Sequence, residues 1–416
     1  MRIAGFTIRN YRSCRETSAI LHPELSALIG INGSGKTNIL SALLLLRKVI
    51  GWRPWGRSSE KAASQCTLRI DFEVDGRTVE YEAVIDYTTT ERNTEEVISA
   101  AEKWNLRAVT GEDQWVSFPS FLFRVRREEP KYLLPQFIME WKRTALSRGA
   151  EITPGDLPQA FMEEPILPIL QTIQGFISKI SYYSASQYTN PSECPAYITL
   201  EEDDYLRHRN YGRHAKFLHD LYLFKEKSPD SFQEYQSIVG KQGLRLVDKI
   251  EFHPVRVPSS EVEVRTGGRI VKKEIKRVLV VPHFVIHSTK LSPSQLSEGT
   301  FKTLAVLLYL STDVSELLLL EEPEVCIHHG LLSSLIELIK SYSKQKQIVL
   351  STHSDFVLDQ LAPENVFLVS NSRSSGTVAV TLPEGLSARG FRALKEYLRT
   401  SGNLGEFWRH AGFEDV

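Results

Sequence analysis

The chain has 416 residues, of which 42% are apolar and 24% charged, with a formal charge of −1. That composition excludes a disordered chain and supplies a sizeable core for one composite domain or two lobes, while the balanced charge names no partner. Four scattered cysteines without a CxxC argue against a zinc site or a disulfide framework, and no apolar run approaches a membrane span, so a cytoplasmic protein with no membrane partner is expected.

In chain order, strand-like pieces at 3–8 and 27–30 lead into a helical stretch from Lys36 to about Val49. Residues 1–61 carry ten Lys/Arg against Glu16, Glu24 and Glu60, which makes this lobe basic. Residues 67–87 alternate apolar and polar around Asp75-Gly76, the pattern of an antiparallel hairpin with a type I′ turn. From 118 to 247 irregular helical pieces are broken by prolines, which forbids a long coiled coil, and 180–185 (ISYYSA) reads as one core strand.

A second hairpin turns at Gly267-Gly268 and bears Arg265, Arg269, Lys272, Lys273, Lys276 and Arg277. It reads as a solvated face, or as a surface for nucleic-acid phosphates. Beyond Leu291 a regular α/β succession follows, with helices at 297–312, 330–343 and 354–361 and strands at 317–320, 347–350 and 366–369. The division expected is 1–117, with the first strands, glycine turn, helix and β lobe; 118–247, a mainly helical insertion; and 248–416, with the basic hairpin and the α/β succession. The fold class expected is α/β, with a mostly parallel core sheet flanked by helices and an antiparallel β lobe.

Four elements carry chemistry. Gly30-Ile31-Asn32-Gly33-Ser34-Gly35-Lys36-Thr37 fits GxxxxGK[ST] between an apolar strand and a helix, with Asn38 in the first turn of that helix. Its backbone N–H groups suit phosphates, Lys36 suits the outer phosphates, and the Thr37 hydroxyl suits Mg²⁺. Leu317 to Leu320 end in Glu321-Glu322, as in a buried parallel strand that delivers acids to its carboxyl end. Glu321 is the candidate for the Mg²⁺ water shell and Glu322 for the general base. Leu296-Ser297-Glu298-Gly299-Thr300 opens an apolar helix; alone the string is simply a good N-cap, yet it also makes an anion site. A further buried run, 348–352, ends at His353, a candidate γ-phosphate contact, although a lone histidine is usually structural.

In this order the four elements resemble the ABC-type ATPase heads of the RecF/SMC/OLD group, with Walker A at 30–37, signature at 296–300, Walker B at 317–322 and switch histidine at 353. The opening FTIRNYRSC resembles that group's start. Glu321-Glu322-Pro323-Glu324 with Ser351-Thr352-His353-Ser354 most resembles the OLD-like ATPases of bacterial anti-phage systems of the PtuA/AriA kind. Glu321 departs from the Asp common in ABC proteins, and His329 stands where Pro is common. The resemblance implies ATP with Mg²⁺ as ligands and a glutamine-bearing loop, for which Gln187 is the candidate. It also implies that the signature completes the site of a second copy, giving a homodimer or a multiple of it.

The function expected is that of a sensor or regulatory ATPase in an anti-phage defence complex, holding a separately encoded nuclease-like effector. OLD nucleases continue into a Toprim domain, whereas about 60 residues follow His353 here without a DxD motif, so the chain itself is not expected to cut nucleic acid. The alternative is a RecF-like DNA-maintenance ATPase. A transporter motor is disfavoured by the proline-broken insertion, and a purely structural nucleotide binder by the presence of Glu322.

Overall fold

The computed structural model describes residues 1–51, 64–90, 95–107, 115–119, 166–201, 213–265, 269–312, 315–400 and 402–411. The turn expected at Gly267-Gly268 lies outside these residues, as do the side chains of the cationic positions from Arg265 to Lys276 in that hairpin. Two compact units emerge: residues 1–182, 316–321 and 343–416 form one, and residues 183–315 and 322–342 form the other.

The first unit contains an antiparallel sheet built from β1 (Arg2–Tyr11), β2 (Cys14–Ile20), β4 (Ser64–Val74), β5 (Arg77–Thr89), β6 (Glu95–Arg107) and β7 (Trp115–Pro119), in the order β2-β1-β4-β5-β6-β7. The hairpin turn between β4 and β5 is the one expected. Asp75 and Gly76 take φ of 49° and 77°, the two left-handed positions of a type I′ turn, whose twist matches the flanking strands. Alternation along β4 buries Cys66, Leu68, Ile70, Phe72 and Val74, and the inward aromatics pack with Tyr81 and Trp104 ring centres 4.2 Å apart.

The second sheet of this unit positions the site. It runs β16 (Gly376–Thr381), β15 (Val366–Ser372), β3 (Leu25–Ile29), β14 (Gln347–Thr352), β13 (Leu317–Glu321), β8 (Ile180–Ser184). The pairs β13/β14, β14/β3 and β15/β3 are parallel, and β16 joins antiparallel. Strands buried on both faces read as continuous apolar runs, which is why β13 is four leucines before its acid. Leu317 and Leu319, with Val349, Leu28 and Val369, share a core with Ile39, Leu40, Leu43 and Leu46 of the helix Lys36–Gly51. Each such leucine contributes roughly 1.5–3 kcal/mol by burial. The Gln347 side chain clamps β1 to this sheet, accepting from Ile3 N at 2.9 Å and donating to Ile3 O at 2.8 Å.

The second unit is built on a sheet of β10 (Lys249–Arg265), β11 (Arg269–Ile286) and β12 (Thr289–Leu291), with β9 (Ile198–Glu201) pairing β11. Helices Arg213–Lys227, Pro229–Val239 and Glu298–Ser311 belong to it. The last is buried from Phe301 through Ser311, with the Phe217 and Phe301 rings 4.9 Å apart and the Tyr235 hydroxyl donating to Leu304 O at 2.9 Å. One expectation is corrected: the helix after His353 is the single turn Asp355–Leu358, not 354–361, because the chain leaves it for a turn at Asp359-Gln360 and a bend at Leu361.

Candidate functional site

Because β3, β13 and β14 are parallel, their carboxyl ends lie at one edge of the sheet, where ligands bind in open α/β folds. β3 runs into Gly30–Gly35 and then the helix from Lys36. Three glycines are required here by geometry. A Cβ on Gly30 would lie 2.0 Å from Val369 O; one on Gly35, at φ +105°, would lie 2.0 Å from Thr377 Oγ1; and Gly33 takes φ +81°. Asn371 Nδ2 donates to Gly33 O at 3.2 Å, and Thr377 Oγ1 donates to Ser34 O at 3.2 Å, so β15 and β16 brace the loop from below.

Lys36 is buried, and its ammonium donates to Gly30 O at 2.8 Å and Ile31 O at 3.1 Å, with Ser34 Oγ 3.4 Å away. A cation caged by carbonyls of a phosphate-cradle loop is a stored partner for an anion, since charge-assisted bonds to phosphate are stronger than those to neutral carbonyls. Ile31, Asn32 and Gly33 form the exposed rim of the loop. The side-chain amide of Asn38 is engaged by the protein: it donates to Ser13 Oγ at 2.6 Å and accepts from Arg12 Nη1 at 3.3 Å. The opening Asn10-Tyr11-Arg12-Ser13 therefore ties the antiparallel sheet to the first turn of the P-loop helix, with Asn10 and Arg12 at φ of 56° and 52°.

The Glu321 carboxylate at the end of β13 accepts from the Thr37 hydroxyl through Oε1 and from the Tyr182 hydroxyl through Oε2, each at 2.5 Å. A hydroxyl and a carboxylate meeting beside a phosphate loop are hard oxygen donors of the kind Mg²⁺ takes, one or two from protein and the rest from phosphates and water. The donor set fits Mg²⁺, with Thr37 and Glu321 as its residues. Glu322 follows at φ 47°, a left-handed backbone that side chains other than glycine rarely adopt.

On β14, Ser351 pairs with Glu321 on one side and Leu28 on the other. It is 1% exposed, and its Oγ has no hydrogen-bond partner among the described residues, a deficit of about 1–3 kcal/mol. Thr352 Oγ1 accepts from Ser354 N at 3.0 Å, and His353 then stands exposed at the edge between the strands that carry the P-loop and Glu321.

In the second unit Ser297 caps the helix Glu298–Ser311, its Oγ accepting from Thr300 N at 3.2 Å. Gly299 is packed so closely that a Cβ would lie 2.7 Å from Cys326 O. Glu298 pairs with the buried Lys302 at 2.7 Å, and that hydrogen bond holds its carboxyl below the ordinary range. Gln187, on the short turn Ala185–Tyr188, lines a hollow of about 370 Å³ with Ser186, Thr189, Glu193 and His214. Thus the P-loop, Glu321 and His353 stand together in one unit, whereas Ser297, Glu298, Gly299, Gln187 and Glu322 belong to the other. Sequence reasoning missed Tyr182, Thr377 and Asn371; only the tyrosine pair in ISYYSA gave any signal. Among the described basic residues of the opening lobe, Arg2 pairs with Glu73, Arg9 with Glu16, and both Arg12 and Lys48 with Glu95.

A parallel sheet that delivers a glycine loop, its lysine and a hydroxyl against a strand-terminal carboxylate defines a P-loop nucleoside-triphosphatase. Residues 177–359 match the family model described as AAA domain, putative AbiEii toxin, Type IV TA system, and residues 1–134 match the AAA ATPase domain. A 43-residue stretch is 51% identical to the Old nuclease of Escherichia phage P2, covering 10% of this chain and only 7% of that protein. Both family models describe ATPase-type domains, in keeping with the P-loop geometry, and the short match to the Old nuclease makes that stretch similar to an OLD protein. Similar solved structures include the SMC head domain from Thermotoga maritima, 13% identical over 92% of this chain and 99% of that one, with a TM-score of 0.42. An SmcHead bound to the C-winged helix domain of ScpA is 13% identical over 93% and 100%, with a TM-score of 0.48. No helix among the described residues is long and apolar enough to cross a membrane.

Proposed function

We propose that the chain hydrolyses ATP with Mg²⁺ in a homodimer, or a multiple of it, as the sensor subunit of an anti-phage defence complex that controls a separately encoded, nuclease-like effector. The observation that carries the ATPase reading is the meeting of Thr37 and Glu321 beside a caged Lys36. Lys36 exchanges its loop carbonyls for phosphate oxygens, and the glycine-loop amides hold the remaining charge. When bound, Mg²⁺ neutralises charge on the transferring phosphoryl group. Glu321 orients the ion's water shell, and Glu322 accepts the proton of the attacking water. In a two-fold sandwich, Ser297 and Gly299 of one protomer reach the nucleotide held by its partner, an isologous arrangement that makes two composite sites.

The defence assignment is supported by the names of two matches, a family described through a putative toxin and a nuclease of a phage, together with the EEPE and STHS strings. The test is native mass of Glu322→Gln with ATP and Mg²⁺, alone and after pull-down from a host lysate. A mass that doubles with ATP but not ADP, carrying a nuclease, is the expected result. A dimer that retains only DNA would favour the RecF-like reading, and a strict monomer would remove the composite site. Lys36→Ala should weaken ATP binding about 100-fold by calorimetry, the loss of one charge-assisted contact.

A further inference from the structure

We propose that the Ser351 hydroxyl is an outer-shell ligand of the metal ion, accepting a hydrogen bond from a Mg²⁺-bound water between Glu321 and the P-loop helix. The inference rests on the ATP·Mg²⁺ reading above.

Ser351 lies in a strand whose other buried polar side chains, Gln347 and Thr352, are both hydrogen-bonded, and at its position alanine or valine would pack without leaving a polar atom unpaired. Registered partners in a parallel sheet share a face, so Ser351 points to the same side as Glu321 and Leu28. That side is the one covered by the helix Lys36–Gly51, because Leu28, Leu317, Leu319 and Val349 share a core with Ile39 and Leu43 of that helix. The orphaned hydroxyl therefore sits beneath the helix that begins with Lys36 and Thr37, one strand from the carboxylate that Thr37 touches. Buried polar side chains are almost always satisfied, and an exception beside a phosphate loop points to a partner that arrives with the ligand.

The chemistry of that partner follows from the ion. Mg²⁺ dehydrates reluctantly and keeps several waters, each with two protons to place. Glu321 has Oε2 occupied by Tyr182, which leaves Oε1 as its free-facing acceptor once the Thr37 hydroxyl turns to the ion. Ser351 supplies the next acceptor on the same face. It touches the ion only through water and is a positioning residue.

The experiment uses Mn²⁺ as a paramagnetic substitute for Mg²⁺ and a non-hydrolysable ATP analogue, with the full chain. Free Mn²⁺ is read by electron paramagnetic resonance during titration; nucleotide affinity is measured separately in EDTA, and the ligand-free melting temperature is recorded. Ser351→Ala is expected to weaken Mn²⁺ retention about tenfold, at the lower end of outer-shell effects. Metal-free nucleotide affinity should be unchanged and the melting temperature equal or higher, because an unpaired hydroxyl has been removed. Ser351→Cys, nearly isosteric with a poor acceptor, should behave like Ser351→Ala and serves if the alanine variant does not fold. Unchanged Mn²⁺ retention in a folded variant would overturn the proposal while leaving the ATP·Mg²⁺ reading intact. Failure of the wild-type chain to retain Mn²⁺ with the analogue would overturn both.

Discussion

At Glu322 the backbone takes φ 47°, which costs a side-chain-bearing residue roughly 1–2 kcal/mol. Glu322→Gly should therefore raise the melting temperature of the ligand-free protein, by the equivalent of roughly 0.5–1 kcal/mol once the greater freedom of glycine in the unfolded chain is counted, while turnover is lost. Glu322→Gln should lose turnover with no change in melting temperature, which separates strain from chemistry. Tyr182 is a second residue whose importance is geometric, since its hydroxyl holds the outer oxygen of Glu321. Tyr182→Phe should raise the Mg²⁺ concentration needed for half-maximal ATPase rate about tenfold, measured by titrating Mg²⁺ at fixed ATP; the loss of one bond to a charged group is roughly 1.5–3 kcal/mol before relaxation. Tyr182 was illegible as a partner because Glu321 is 139 positions away, and nothing in ISYYSA tells which tyrosine faces an acid. Thr377 was hidden in the same way, touching Ser34 across 343 positions.

At the scale of elements, the strand, loop and helix of 25–51 and the all-leucine β13 were readable because their signals are contiguous: apolar runs, glycines and a terminal acid. β6 was missed because its alanines, glutamates and lysine are poor strand formers, and its partner β5 overrides that local preference. The same strand begins with Glu95, which ties three elements together. Burial by itself would raise the Glu95 carboxyl, but the Tyr11 hydroxyl, Arg12 and Lys48 outweigh it and hold it below the ordinary 4.5. A depressed carboxyl contributes stability that is full above its unfolded value and is lost as pH falls through the folded one. Melting temperature should thus decline as pH drops below about 4.5, and Glu95→Gln should flatten that decline, as differential scanning calorimetry across pH 3 to 7 would record. The P-loop has an equally sharp requirement: Gly35→Ala meets both φ +105° and the Thr377 hydroxyl, and should abolish ATP binding in equilibrium dialysis.

For the whole molecule, the α/β class and the separation into a parallel core sheet and an antiparallel lobe were visible in the sequence, whereas the division into units was not. Glu321 and Glu322 are consecutive, yet they belong to different compact units, and a residue string carries no mark of where contacts change allegiance. Because the signature and the P-loop fall in different units, the mass measurement is the most informative at this scale. ATP should shift Glu322→Gln to twice its ligand-free mass, and Ser297→Arg, which fills the helix cap with a bulky cation, should abolish the shift while leaving nucleotide binding to each chain unchanged.

The strand that precedes the P-loop is hydrogen-bonded on one side by β14 and on the other by β15, both drawn from residues 347–372. During synthesis, Leu25–Ile29 therefore leaves the ribosome more than 300 residues before either ladder partner exists. Until then it is an apolar strand with two open edges, the kind of segment that aggregates or recruits a chaperone. A message broken or a chain released before that point yields no partly working head, because the strands that flank the P-loop strand are made only beyond residue 346.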